Sequence, residues 1–291
     1  MKYEGRIIRP PSEARSLLLQ ATVGCSHNQC TFCASYKQKR FRIKTSEEIE
    51  EDIREAGATL RSVERVFLCD GDALIIPQRR LLEVLQSIRE HIQGVQGVGT
   101  YANAKSILRK NREDLAELRA AGLQIVYLGV ETGSEEVLQR IRKGATYEKI
   151  VEAGRRVKQA GIKLSVTALL GIGGVELSEE HARATARILT DLDPEYAGML
   201  TVMVVPGTPL YEDFRSGAFV LPGTFDLLRE LRIIIAASSF TDCFFTSNHA
   251  SNYLPVRARL PGDQKKVLAL LDGVIHKERR DLLRPEYLRG L

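Results

Sequence analysis

The sequence predicts an α/β protein in which parallel strands alternate with covering helices, and three observations predict it. Short apolar or β-branched runs recur along the first part of the chain, amphipathic stretches with helix caps separate them, and each repeat takes roughly 30 residues, a strand plus its crossover helix. Near-continuous apolar strands imply a sheet covered on its faces. An open barrel, a closed barrel and a doubly wound sheet all satisfy that requirement.

Taken in order, strands are expected over 16–22, 63–69, 98–103, 125–131, 164–170 and 199–205, six in all. The intervening helices carry start and stop signals. "TSEEIEEDIREAG" opens at Ser46 with acidic first-turn residues and stops at Gly57; "NREDLAELRAAG" runs from Asn111 to Gly122; "LSEEHARATARIL" opens at Ser178. From about Gly217 the pattern changes to one long amphipathic stretch, "TFDLLRELRIIIAASS", a polar segment, "TDCFFTSNHASNYLP", another helical run and a basic tail. The expected division is an α/β body at 1–215 and a C-terminal helical extension at 216–291, packed on that body.

With 291 residues, 44% of them hydrophobic, the chain has material for a sizeable core. The net charge of +5, from 42 basic and 37 acidic residues, is mild and spread out, which disfavours nucleic acid as the main partner. The N-terminal "MKYEGRIIRPPSEARSLLL" is charged throughout, unlike a signal peptide, and apolar stretches such as that around Ile233 to Ala237 are short of a bilayer span. A soluble, cytoplasmic protein is therefore expected. In that reducing compartment an odd count of five cysteines points to metal binding or catalysis before disulfides.

Three of those cysteines, Cys25, Cys30 and Cys33, fall in "GCSHNQCTFCASYKQKRFR", directly after the first expected strand. That places them on a loop at the carboxyl end of a parallel strand, where α/β folds keep their active sites. A structural zinc would need a fourth ligand, from His27, Cys69 or Cys243, to close the site. A four-iron cluster on three thiolates instead leaves one iron for an outside ligand, and spacing and position favour it.

The loop "CSHNQCTFCASY" resembles the cluster loop of the radical S-adenosylmethionine (SAM) superfamily, with Phe32 at the aromatic position before the last cysteine and a first gap one residue longer than usual. The resemblance covers roughly residues 15–210 and implies a partial (β/α)6 TIM-type barrel with two cofactors, a 4Fe-4S cluster on Cys25, Cys30 and Cys33 and SAM. It also implies reductive cleavage of SAM to a 5′-deoxyadenosyl radical, fed by a flavodoxin- or ferredoxin-type reductant.

Further positions follow from the same resemblance. Asp70, Gly71 and Asp72 in "FLCDGDAL" match a short motif that accepts hydrogen bonds from the SAM amino group. "IVYLGVETGSEEVLQRIRKG" resembles the coproporphyrinogen-oxidase-like and methylthiotransferase-like branches, placing Glu131 at the ribose hydroxyls and Lys143 at the methionine carboxylate. Tyr101, Asn103 and Thr167 occupy comparable positions. "LLGIGG" lacks the lysine of a P-loop and is expected to pass its backbone near the adenine.

The substrate, a small molecule or other unknown group, is less legible. Two cysteines outside the loop are too few for an auxiliary four-iron cluster, and no Asp-x-His-x-x-Gly signature of cobalamin binding occurs. In the polar segment, Ser247, Asn248 and Asn252 are candidate substrate contacts, His249 a candidate acid or base, and Cys243 a candidate hydrogen donor. The competing reading is a capped loop, since Ser and Asn favour turns for local reasons. Lys37, Lys39, Arg40, Arg42 and Lys44 read as a solvated face, an electrostatic influence on the cluster, or a surface for phosphate or an acidic reductant. Two rival classes are a non-catalytic zinc or iron-sulfur electron-transfer protein and an RNA-binding or RNA-modifying protein.

Overall fold

The structure is a computed structural model and describes residues 1–290. The chain runs β1 (Leu17–Leu19), β2 (Thr22–Val23), β3 (Arg42–Ile43), α1 (Ser46–Thr59), β4 (Arg65–Leu68), α2 (Gln78–His91), β5 (Gly97–Ala102), α3 (Ala104–Leu108), α4 (Arg112–Ala120) and β6 (Leu123–Glu131). It continues through α5 (Glu135–Arg140), α6 (Tyr147–Gln159), β7 (Lys163–Leu170), α7 (Ser178–Leu192), β8 (Tyr196–Thr201), α8 (Pro209–Ser216), α9 (Thr224–Ala237), β9 (Cys243–Thr246), β10 (Arg257–Leu260) and α10 (Gln264–His276). The main sheet has eight strands in the order β1-β4-β5-β6-β7-β8-β9-β10, and β2 and β3 form a separate ribbon. Six of the eight are the expected strands; the sheet is mostly parallel and does not close.

Two compact units divide the chain, one made of 1–28, 35–128 and 152–164, the other of 29–34, 129–151 and 165–291. In the first, β1 pairs in parallel with β4, β4 with β5 and β5 with β6. Phe67, Cys69, Ile125 and Tyr127 pack together there, with Phe67 and Tyr101 edge to face at 5.0 Å. In the second, β7, β8 and β9 are parallel, and β10 turns back antiparallel at the edge.

Helix starts follow the capping signals closely. Asn111 caps α4, accepting from the Asp114 amide at 2.7 Å while Asp114 accepts from the Asn111 amide. For α1 the cap is Thr45, one residue before Ser46, in a reciprocal box with Glu48. Gly57 does not stop that helix: it lies inside α1, where a Cβ would fall 2.1 Å from the His91 carbonyl oxygen at the end of α2. The glycine is there for close helix packing rather than for a terminus.

The C-terminal segment departs most from expectation, since it adds two strands to its helices. Cys243 and Phe245 point inward and Phe244 outward on β9; Ala258 and Leu260 point inward between exposed Arg257 and Arg259 on β10. Each alternation lasts only four residues, too short to stand out beside polar neighbours. The basic tail forms two short 3-10 turns, Arg280–Leu282 and Glu286–Leu288.

Candidate active site

In the first unit the cysteine loop begins against the end of β4. Asp70 is fully buried with φ of +69°, and its carboxylate accepts from Gln20 Nε2 at 2.9 Å, the Gly24 amide at 2.8 Å and Lys39 Nζ at 2.9 Å. The side chain is thereby committed to holding Gly24, the residue before Cys25. Gly71 lies against Cys25 itself, where an added Cβ would come within 2.6 Å of the cysteine Cβ and 2.8 Å of its Cα. Only glycine allows the two backbones to approach so closely.

Asp72 is different. Its Oδ2 accepts from Ser26 Oγ at 2.5 Å and Asn103 Nδ2 at 2.8 Å, and Asn103 Nδ2 also lies 2.9 Å from Ser26 Oγ. Its Oδ1 is buried and has no donor among the described residues. Burial pushes this carboxyl up to about 6, against hydrogen bonds from Ser106, Ser26 and Asn103 that act in the opposite direction. A dry, unsatisfied carboxylate oxygen is costly and fits a donor brought by a ligand. Asn103 additionally caps α3 through its Oδ1, which receives the Ser106 amide at 3.0 Å. Tyr101 sits beside Phe67 and Tyr127, with its phenol raised by burial, so it retains its proton.

The longer first cysteine gap has a local structure. Ser26 reaches Asp72, while Asn28, at φ +43°, donates through Nδ2 to the Tyr36 carbonyl at 2.9 Å. The basic run that follows is solvated at Lys37 and Arg40 and paired elsewhere. Lys39 is tied to Asp70, Arg42 to Glu4 and Glu48, and Lys44 is buried on Asp52 at 2.9 Å. Three of the five charges are thus paired inside the unit, while Lys37 and Arg40 stay exposed.

In the second unit, Cys30 and Cys33 flank Thr31, whose amide donates to the Ile141 carbonyl at 3.0 Å and whose carbonyl receives the Leu210 amide at 3.1 Å. Phe32 packs on the apolar cluster of Val137, Ile172 and Val202. None of the five cysteines is in a disulfide. At the end of β6, Glu131 has φ of +66° and meets Lys143 Nζ at 2.7 Å. A Cβ on Gly129 would lie 2.4 Å from the Glu131 carboxylate and 2.9 Å from Lys143 Nζ, so the glycine leaves the space this pair fills. A non-glycine residue held in the left-handed region is strained, as residues at ligand sites often are. Thr167 stands on β7 beside Gly198, half-buried.

The loop after β7 is anchored by two residues the sequence reading overlooked. Glu230 of α9 accepts from the Gly171 amide and from Ser178 Oγ, each at 2.6 Å. Its oxygen lies 3.9 Å from Nε2 of fully buried His181, whose Nδ1 meets Thr132 Oγ1 at 2.7 Å. Burial pushes Glu230 up to about 7 and His181 down to about 4, so the imidazole is neutral at pH 7 and the contact is not an ion pair. The available signal was Glu230 on the apolar face of its helix, three residues from Leu227 and four from Ile234.

The polar segment is mostly architecture. Ser247 is buried and links the Val256 amide to the Leu254 carbonyl; buried Asn252 accepts from Thr201 Oγ1 at 2.9 Å and donates to the Met199 carbonyl at 2.8 Å. Asn248 faces the Arg257 guanidinium with its carbonyl oxygen, at 2.8 Å. Cys243 is fully buried on β9, with its thiol pushed up to about 12 by burial. His249 is half-buried, and burial, then the charge of Arg284, lowers its pKa.

A mostly parallel open sheet carries a cysteine loop whose first cysteine lies against the end of its second strand, next to a buried acceptor. The pattern of the Radical SAM superfamily matches residues 19–187, more than half of the chain, and the chain belongs to that superfamily. It is 27% identical over 192 residues to an uncharacterised methyltransferase of Pyrococcus horikoshii, covering 65% of this chain and 40% of that protein. It is 24% identical over 206 residues to the biotin synthase of Halorhodospira halophila, covering 70% and 61%. Among solved structures, coproporphyrinogen III oxidase from Escherichia coli superposes with a TM-score of 0.58 at 17% identity, over 77% of this chain and 53% of the other. Methylornithine synthase gives 0.54 at 22%, over 77% and 63%. The chain thus spans only part of the length of these relatives.

Members of the superfamily are enzymes that bind a 4Fe-4S cluster and SAM and draw on a reductant. The residues present fit both cofactors: cysteines for iron, an orphaned buried acceptor for an ammonium, and a carboxylate and a cation in a space kept by glycine. Among the described residues no helix is long and apolar enough to cross a membrane.

Proposed function

We propose that this chain is a radical SAM enzyme in which Cys25, Cys30 and Cys33 hold the cluster and Asp72, Glu131 and Lys143 orient SAM for reaction with a small-molecule substrate. When bound, the two cofactors supply reductive cleavage of a carbon-sulfur bond and a 5′-deoxyadenosyl radical that removes a hydrogen atom from the substrate. The chain's own residues bind, orient and exclude water. The observation that carries the reading is the Asp72 Oδ1 atom, a buried acceptor without a donor among the described residues, whose partner oxygen is bonded to Ser26, the residue next to Cys25.

Each assigned residue supplies a matching type of interaction. Asp72 accepts from the SAM ammonium, aided at the strand end by the backbone carbonyls of Asp70 and Gly71; Lys143 faces the carboxylate; Glu131 accepts from the ribose hydroxyls. Asn103 and Ser26 hold Asp72 in place. Tyr101 and Thr167 line the same cofactor, and the Gly171 loop passes the adenine. The reductant is of flavodoxin or ferredoxin type and the setting cytoplasmic, while the α/β body at 1–215 carries the cofactors and 216–291 completes the substrate side.

Anaerobic reconstitution tests this reading. About four irons per chain, with release of 5′-deoxyadenosine that depends on SAM and reductant, is the expected result. One tightly held zinc with no SAM cleavage would replace it with the structural-metal reading. A Cys25→Ala variant that kept its iron and cleaved SAM at the wild-type rate would refute the cluster assignment.

A further inference from the structure

The segment following β9 holds a histidine whose proton position the geometry determines. The Ser251 amide lies 3.1 Å from His249 Nδ1, and Ser251 Oγ lies 2.9 Å from the same nitrogen. A backbone N–H can only donate, so Nδ1 is the acceptor and the proton of the neutral ring sits on Nε2. The serine is itself fixed, since its Oγ receives the amide of Thr201, the last residue of β8, at 3.1 Å. The ring is therefore referenced to the carboxyl end of a parallel strand, the working face of barrel enzymes. Among the described residues the Nε2–H has no acceptor.

The tail holds this arrangement from the other side. Arg284 Nη1 lies 2.9 Å from the His249 carbonyl oxygen, 2.9 Å from that of Ala250 and 2.8 Å from that of Asn252. Its amide donates to the Tyr253 carbonyl at 2.7 Å. Arg289 stacks over the Tyr253 ring at 4.0 Å and donates to the Ser251 carbonyl at 2.8 Å. Arg289 has a carboxylate partner in Glu286, whereas among the described residues Arg284 binds carbonyls, and its charge, after burial, adds to the lowering of the His249 pKa. Arg257, held by Asn248, adds a second cation to the segment.

We propose that His249 is an uncharged Nε2–H donor to a carboxylate or phosphate oxygen of the substrate, with Ser251, Thr201 and Arg284 as its positioning residues. A donor with a single available proton, fixed in direction and set in a positive field, recognises an oxyanion. His249 acts here as a recognition group and takes no proton. The inference rests on the proposed function for the reaction it serves, while the state of the ring is read independently of SAM.

The test is long-range proton-nitrogen correlation on the full chain with labelled histidine, prepared anaerobically, with the signal assigned by His249→Gln. A single Nε2–H tautomer at neutral pH is expected; an Nδ1–H tautomer or an imidazolium would overturn the proposal. Arg284→Lys keeps the charge but not the fork over three carbonyls, so the tautomer should become mixed; a pure Nε2–H form in that variant would remove Arg284 from the positioning role. Inorganic phosphate and acetate then serve as probes. Saturable movement of the His249 signal by phosphate alone assigns a phosphate-bearing substrate, by acetate a carboxylate, and by neither refutes the oxyanion assignment. The response should survive in His249→Gln, read from neighbouring amides, and weaken at least tenfold in His249→Leu. A protein that passes these tests yet cleaves no SAM would overturn the proposed function and leave this inference standing.

Discussion

Replacing Glu230 with Gln should stabilise the protein at alkaline pH and do much less in acid. The carboxyl is 1% exposed, accepts from the Gly171 amide and Ser178 Oγ, and has its pKa raised from 4.5 to about 7, chiefly by burial. A raised carboxyl binds its proton more readily when folded, so stability is greatest below the unfolded pKa and falls as pH rises through the folded one. A shift of this size costs about 3 kcal/mol once pH exceeds 7, but only about 1 kcal/mol near pH 5.5. Gln keeps an acceptor for the Gly171 amide, can donate through its Nε2 to the Ser178 hydroxyl, and never charges. Urea denaturation of wild type and variant side by side should therefore place the Gln form ahead, by about 2 kcal/mol more at pH 8 than at pH 5.5. His181, lowered from 6.5 to about 4, has the opposite slope in both proteins and cancels from the comparison. Equal destabilisation at both pH values would show that Glu230 is already charged and compensated, and the argument would fail.

Other expectations follow from single contacts. Gly71→Ala forces a Cβ onto the Cys25 backbone and should cost about 1–3 kcal/mol of stability together with iron retention, measured by denaturation and iron content. Lys143→Met leaves Glu131 without its 2.7 Å partner and should weaken SAM binding at least tenfold by calorimetry, while a wild-type affinity would remove Lys143 from the site. Thr45→Ala deletes a helix cap and should lower stability by about 1 kcal/mol without changing SAM binding.

The repeated βα pattern was legible because its signals are local. The six main strands appear where apolar runs were read, and Asn111 and Ser178 mark helix starts as expected. The hairpin of β9 and β10 was not legible, because four-residue strands with polar flanks resemble a loop until a neighbouring strand offers its backbone. The "SNHASN" run looked like a cluster of ligand groups. Its buried Ser247 bonds backbone and its buried Asn252 bonds the Met199 carbonyl and the Thr201 hydroxyl, whereas Asn248 and His249 are half-buried.

What the sequence determined by itself was the superfamily and the order of the βα units. Cysteine spacing, caps and apolar periodicity depend on neighbours within a few residues, so they survive without a fold. Only the tertiary structure decided which polar groups were already used. Asp70 and Asp72 stand two residues apart with the same side chain, yet one is bonded by Gln20, Gly24 and Lys39, and the other keeps an oxygen without a donor among the described residues. That difference rests on partners up to about fifty residues away, which no reading of a local motif contains.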